Sequence, residues 1–186
     1  MLCGAVLAVA ASGCEEQVLP PADALTGGTG ECTPFVVACN YVNNYIGTFN
    51  WTIVLQSSID RYEETVSVGI GADSVVSCAG EAKDTYYGQT KTGQIIGPGL
   101  LAVEFTKDAN GKLVYEITAA CPTPAYPGEV VQPAELGVTI GLESYEQPAT
   151  SKRMNLQGGS TYPAPETDPL NGVSGTVSVT WNFKHK

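Results

Sequence analysis

Strict alternation of apolar and polar side chains constrains this chain more than any other feature. Phe49, Trp51, Ile53 and Leu55 alternate with Asn50, Thr52, Val54 and Gln56. A helix would scatter these four large side chains around its circumference. A β-strand gathers them on one face and leaves the mostly polar set on the other. The same period returns in Val66-Val68-Ile70, Leu101-Val103-Phe105, Leu113-Tyr115-Ile117, Leu136-Val138-Ile140-Leu142 and Val177-Val179-Trp181-Phe183. Weaker strands are expected at Ser74–Cys78, Thr85–Thr90, Gln94–Ile96 and Glu129–Gln132. Between Phe105 and Leu113 the sequence TKDANGK carries an Asn110-Gly111 step, both residues tolerant of positive φ, and predicts a tight hairpin. No ten-residue stretch shows a period of 3.6, although Phe35–Tyr45 has room for a helical turn.

Short strands with turn residues every 8–12 positions predict an all-β fold, an antiparallel β-sandwich, with a small closed β-barrel as the alternative. Trp51 on an early strand and Trp181 on the last are then core residues. Gly and Pro together number 33 and only 15% of residues are charged, a balance that suits strands and turns rather than long helices. From Ser144 to Asn171 the alternation fails, and a long loop is expected there.

The first residues follow a different rule. Met1 to Ala11, MLCGAVLAVAA, is apolar and small-residue-rich, with the character of a signal-peptide core and far short of the roughly 20 residues that span a bilayer. It ends in Ala11-Ser12-Gly13-Cys14, which resembles the lipobox of bacterial lipoproteins. Small Ser and Gly before Cys fit that pattern; Ala11 stands where Leu is commoner, and nothing before Cys14 is basic, which points to a natural start upstream of Met1. The resemblance implies lipidation of Cys14, anchoring to a membrane through it, and an outer-membrane or cell-surface location. The alternative is a secreted protein cleaved after Ala8-Val9-Ala10. Residues 1–13 are thus read as signal peptide and 14–31, with Pro20-Pro21 and Gly27-Gly28, as a flexible tether. Residues 32–186 form a single β domain.

Cys32, Cys39, Cys78 and Cys121 remain in that domain. An even number in an exported chain implies two disulfides with three possible connectivities; Cys32–Cys39 with Cys78–Cys121 is the favoured one. No metal or cofactor is expected, because there is no C-x-x-C pair and the single histidine, His185, is second from the end and expected to fray. That position also argues against a Ser-His-Asp or Cys-His site. Asp108-Ala109-Asn110-Gly111 resembles the start of a calcium loop, but no bidentate acid follows at the required spacing, so it is read as a hairpin turn.

The formal charge is −10, from 9 basic and 19 acidic residues, and the basic residues are scattered. Such a chain repels nucleic acid, which is excluded as a partner. Glu63, Glu64, Glu81, Asp84, Glu143 and Glu146 are the candidates for a carboxylate pair of the kind that hydrolyses glycosides. Tyr86, Tyr87, Tyr145 and Tyr162 are candidates for a contact surface, with aromatic faces able to stack on a glycan or anchor a protein. The expected function is a non-catalytic binding or structural module of the bacterial envelope. A small carboxylate-dependent carbohydrate-active enzyme is the alternative, and a self-assembling envelope or appendage subunit the second.

Overall fold

The computed structural model describes residues 40–128, 136–141, 146–164 and 174–186. Cys14, Cys32, Cys39, the 129–132 stretch, Leu142, Glu143 and Tyr145 lie outside the described residues. After a short 3₁₀ turn, Val42–Asn44, every element is a strand: β1 Tyr45–Gln56, β2 Asp60–Ile70, β3 Val76–Tyr86, β4 Gln89–Pro98, β5 Leu100–Lys107, β6 Leu113–Pro122, β7 Leu136–Gly141, β8 Gln147–Pro148, β9 Leu156–Pro163 and β10 Ser174–His185.

They form two antiparallel sheets. The larger has the order β4-β3-β2-β1-β10-β9; the smaller has β5-β6-β7, with β8 also pairing along β6. The protein is an all-β sandwich. The sheets do not close on themselves, which rules out the barrel; Gln94 of β4 exchanges backbone hydrogen bonds of 3.0 and 2.9 Å with Ala125, just after β6.

Alternation decides the packing. Phe49 and Trp51 of β1, Val66, Val68 and Ile70 of β2, and Val179, Trp181 and Phe183 of β10 point inward from the large sheet. Leu101, Val103, Tyr115, Ile117 and Ala119 meet them from the small one. The two tryptophans are 1% and 3% exposed, as the alternation requires. Trp181 satisfies its indole N–H across the gap, donating to the Tyr115 hydroxyl at 3.1 Å. Asn40 stitches the beginning of the described chain to β5: its Nδ2 donates to Leu101 O, and its Oδ1 accepts from Val103 N.

The second inter-sheet link is covalent. Cys78 of β3 and Cys121 of β6 form a disulfide, buried to 3% and 1% exposure. Gly99 makes room for it, since a Cβ there would lie 2.5 Å from Cys78 Sγ.

Four local expectations are corrected. The hairpin between β5 and β6 forms, but only Gly111 adopts positive φ (75°). Asp108 Oδ1 accepts from the amides of Asn110 and Lys112, so a wider loop built on an aspartate cap replaces the two-residue turn. Thr85–Thr90 is not one strand; it contains the two-residue turn Tyr87-Gly88 between β3 and β4. The 144–171 stretch is not a single loop, because it holds β8 and β9. β9 lacks apolar alternation because Trp181 fills its inner side: a Cβ on Gly158 would meet the indole at 2.5 Å. His185 does not fray: its ring packs edge-on to Tyr45 and its amide donates to Asn155 Oδ1 at 3.0 Å.

A loop of 43 residues closed by the Cys78–Cys121 link is worth about 4 kcal/mol in the chain-entropy model. The double substitution Cys78→Ala/Cys121→Ala is expected to lower the unfolding free energy by about that amount in denaturant titration. An unchanged midpoint would mean that the bridge contributes no constraint.

Candidate functional site

The carboxylate candidates separate onto two faces of the large sheet. Glu63 and Glu81 point outward, where Glu63 pairs with Arg61 and Glu81 with Lys83. Surface pairs of this kind neutralise charge at little net gain. Glu64 and Asp84 point inward. Glu64 is 1% exposed, yet both of its oxygens are held: Trp51 Nε1 donates to Oε1 at 2.6 Å and the Tyr62 hydroxyl donates to Oε2. Burial, then the adjacent Glu64 charge, pushes the Tyr62 phenol far above its ordinary value. This is a saturated polar network that locks the inner face of β1 and β2. Glu146 lies just before β8 on the small sheet, remote in the strand order from the other candidates.

A different pair emerges that sequence reasoning missed. The register of β5 on β6 sets Glu104 directly opposite Glu116. Extending the β6–β8 register by one residue brings Glu146 opposite Glu116 in turn. Like charges facing each other across strands oppose pairing. Glu104 is 7% exposed, and its Oε1 is buried without a hydrogen-bond partner. Burial, and next the Glu116 charge, holds the Glu104 carboxyl above its ordinary value; burial and Glu146 do the same for Glu116. A two-residue turn at Asn110-Gly111 would set Glu104 opposite Ile117; the wider Asp108-capped loop shifts the register by one residue and brings Glu104 opposite Glu116. Among the described residues no three His, Cys, Asp or Glu side chains converge as metal ligands.

The tyrosines also divide. Tyr162 is half-buried against the core, its hydroxyl donating to Gly141 O at 3.2 Å. Tyr86 and Tyr87 stand together at the β3–β4 tip, 55% and 68% exposed, rings edge-to-face with centroids 4.6 Å apart. Ile59, 42% exposed, joins them from the β1–β2 turn, its carbonyl accepting from Tyr87 N at 3.1 Å. The two turn residues, Tyr87 and Gly88, have φ of 45° and 76°. Such turns favour Asn-Gly; a bulky side chain in the left-handed region costs about 1–2 kcal/mol. The tip lies at the far end of β1 from Asn40, about 35–40 Å along a twelve-residue strand.

The outward face of the large sheet is unusual in composition. One register row crosses all six strands as Thr161, Ser178, Thr52, Thr65, Glu81 and Gln94; the next runs Gly159, Thr180, Asn50, Ser67, Ala79 and Ile96. Thr161 and Ser178 hydroxyls hydrogen-bond at 3.0 Å, and Thr52 and Thr65 at 3.5 Å. A shallow open hollow of about 620 Å³ lies between the rows, over β1 to β4. Its walls are hydroxyls and amides of Asn50, Thr52, Thr65, Ser67 and Gln94, with Glu81 the only charged group.

No family model matches the chain, and neither a curated protein nor a solved structure matches it.

The glutamate pair generates a pH dependence. With both folded-state values raised, its favourable contribution is complete below the ordinary glutamate value and is lost as pH rises through the folded values. Glu104→Gln is therefore expected to raise the melting temperature at neutral pH by about 2–4 °C, the shift for roughly 1 kcal/mol in a domain of this size. The gain should vanish near pH 4. Thermal scans of both proteins across that range check it, and a destabilised variant at neutral pH would contradict it.

Proposed function

We propose that the chain is a lipid-anchored protein of the bacterial envelope whose β-sandwich is a non-catalytic binding module, with the Tyr86–Tyr87 tip as its contact surface. The observation that carries the reading is Tyr87: an exposed aromatic side chain held in a left-handed conformation that favours glycine or asparagine. Strain of this kind at a solvent-exposed tip persists where the displayed side chain serves a purpose other than stability. Two rings and an isoleucine with one end in water form the sort of anchor that fills an apolar pocket on a partner.

The lipobox-like Ala11-Ser12-Gly13-Cys14 supports the anchor, and two acyl chains would suffice for stable attachment. The buried Cys78–Cys121 bridge fits an extracytoplasmic, oxidising compartment.

Two measurements test the two halves. Mass spectrometry of the mature N-terminus should find a diacylated Cys14; an unmodified terminus at Ala11 removes the anchor. Tyr87→Asn relieves the strained φ and is expected to stabilise the domain by about 1 kcal/mol while removing one ring of the tip. A variant less stable than the parent would show that Tyr87 is there for packing.

A further inference from the structure

We infer that the outward face of the six-stranded sheet is a binding face for an uncharged, polyhydroxylated polymer, a neutral polysaccharide chain lying over β1 to β4. The inference is independent of the tyrosine tip and stands on the face itself.

Its first support is charge. Solvated protein surfaces ordinarily carry about a quarter to a third charged residues. Of the twelve outward positions in the two central rows, Glu81 alone is charged, in a chain with 28 Asp, Glu, Lys and Arg residues and a formal charge of −10. Glu81 is itself neutralised by Lys83 at 2.9 Å. Arg61, Glu63 and Lys83 flank these two rows toward the β3–β4 tip, where Arg61 pairs with Glu63 and Lys83 with Glu81. A central band with so little net charge complements a ligand without charge, and a charged chain would gain little there.

Chemistry is the second support. Eight of those twelve side chains are hydroxyls or carboxamides. Each hydroxyl both donates and accepts, and each amide presents a donor beside an acceptor, which matches the paired hydroxyls of a sugar ring. The sheet places them on a grid of about 4.8 Å between strands and about 6.8 Å along them. Asn50 and Thr180 already link across strands at 3.5 Å, a long hydrogen bond that a better-placed ligand hydroxyl can replace.

Shape is the third. The hollow of about 620 Å³ is open, spans four strands, and is floored by the backbone of Trp51, Val66 and Gly80, whose outward neighbours are small or short. Ala79 keeps the wall low over β3, while Ile96, 74% exposed on β4, closes that end of the row. An extended chain can lie across such a floor, whereas a compact small molecule would stay largely in water.

The test is co-sedimentation of the full chain with amorphous cellulose and with chitin, both neutral, and retardation by alginate, an anionic polymer. The expected result is retention by at least one neutral polymer, insensitive to added salt, and none by alginate. Ser67→Lys and Ala79→Lys each place a charge in the middle of the face at an outward position with no acid directly opposite, so melting temperatures should be unchanged while retention falls about tenfold, as a desolvated unpaired charge requires. Retention by neither neutral polymer overturns the inference. So does retention that survives both substitutions, or a loss of self-association rather than of glycan binding in the variants, which would make the occupant a second copy of the chain. Lys112→Ser, at an exposed position in the loop between β5 and β6 of the other sheet, serves as the control that leaves the face intact; its retention should equal the parent's.

Discussion

The pairing of β1 with β10 is the constraint on which the rest of the structure depends. Twelve consecutive residues, Tyr45 to Gln56, pair with His185 to Ser174 in unbroken antiparallel register. The contact joins the beginning of the described chain to its end, so closing it costs more chain entropy than any hairpin in the fold. What offsets that cost is apolar: Phe49, Trp51, Val179, Trp181 and Phe183 all pass from water to the interior along this one seam. The register is also all-or-none. A slip of either strand by one residue would turn its tryptophan, Trp51 or Trp181, outward and bury Asn50 or Thr180 in its place.

That single register therefore shapes both faces of the large sheet. It builds the core that carries the disulfide and the small sheet. It also lines up Thr52 with Ser178 and Asn50 with Thr180, which makes a continuous band of hydroxyls and amides out of residues far apart in sequence. Two buried glutamates show how finely the faces are matched. Glu64 sits in the interior with an indole and a phenol supplying donors, and is stable there. Glu104 is nearly as buried, but finds a second glutamate opposite instead of a donor. The same residue type is a brace in one sheet and a source of tension in the other, because the partner strand decides which groups it meets.

Period-two alternation made the strands, the sandwich and both core tryptophans legible, since alternation reports burial directly. The Cys78–Cys121 bridge was legible as one of three connectivities. β9 was hidden because its inner positions are emptied by glycine to admit Trp181, a fact about the neighbouring strand rather than its own sequence. The β3–β4 turn was hidden because Tyr87-Gly88 breaks the residue preferences of such turns. Tyr86, Tyr87 and Tyr162 looked alike in the sequence, and only their packing separates the exposed pair from the half-buried Tyr162. The uncharged face needs the register of five strand pairs at once, and no local pattern announces it. Glu104 and Glu116 were hidden because the expected two-residue turn sets Glu104 opposite Ile117, and only the wider Asp108-capped loop brings the two glutamates together.

Native-state hydrogen exchange of the β1 and β10 amides tests the organising role of their pairing most directly. The predicted result is that these amides exchange together and slowest in the domain, only through global unfolding. Early exchange of β10 while β1 to β4 stay protected would contradict it, and would make the first four strands a unit that stands without the last.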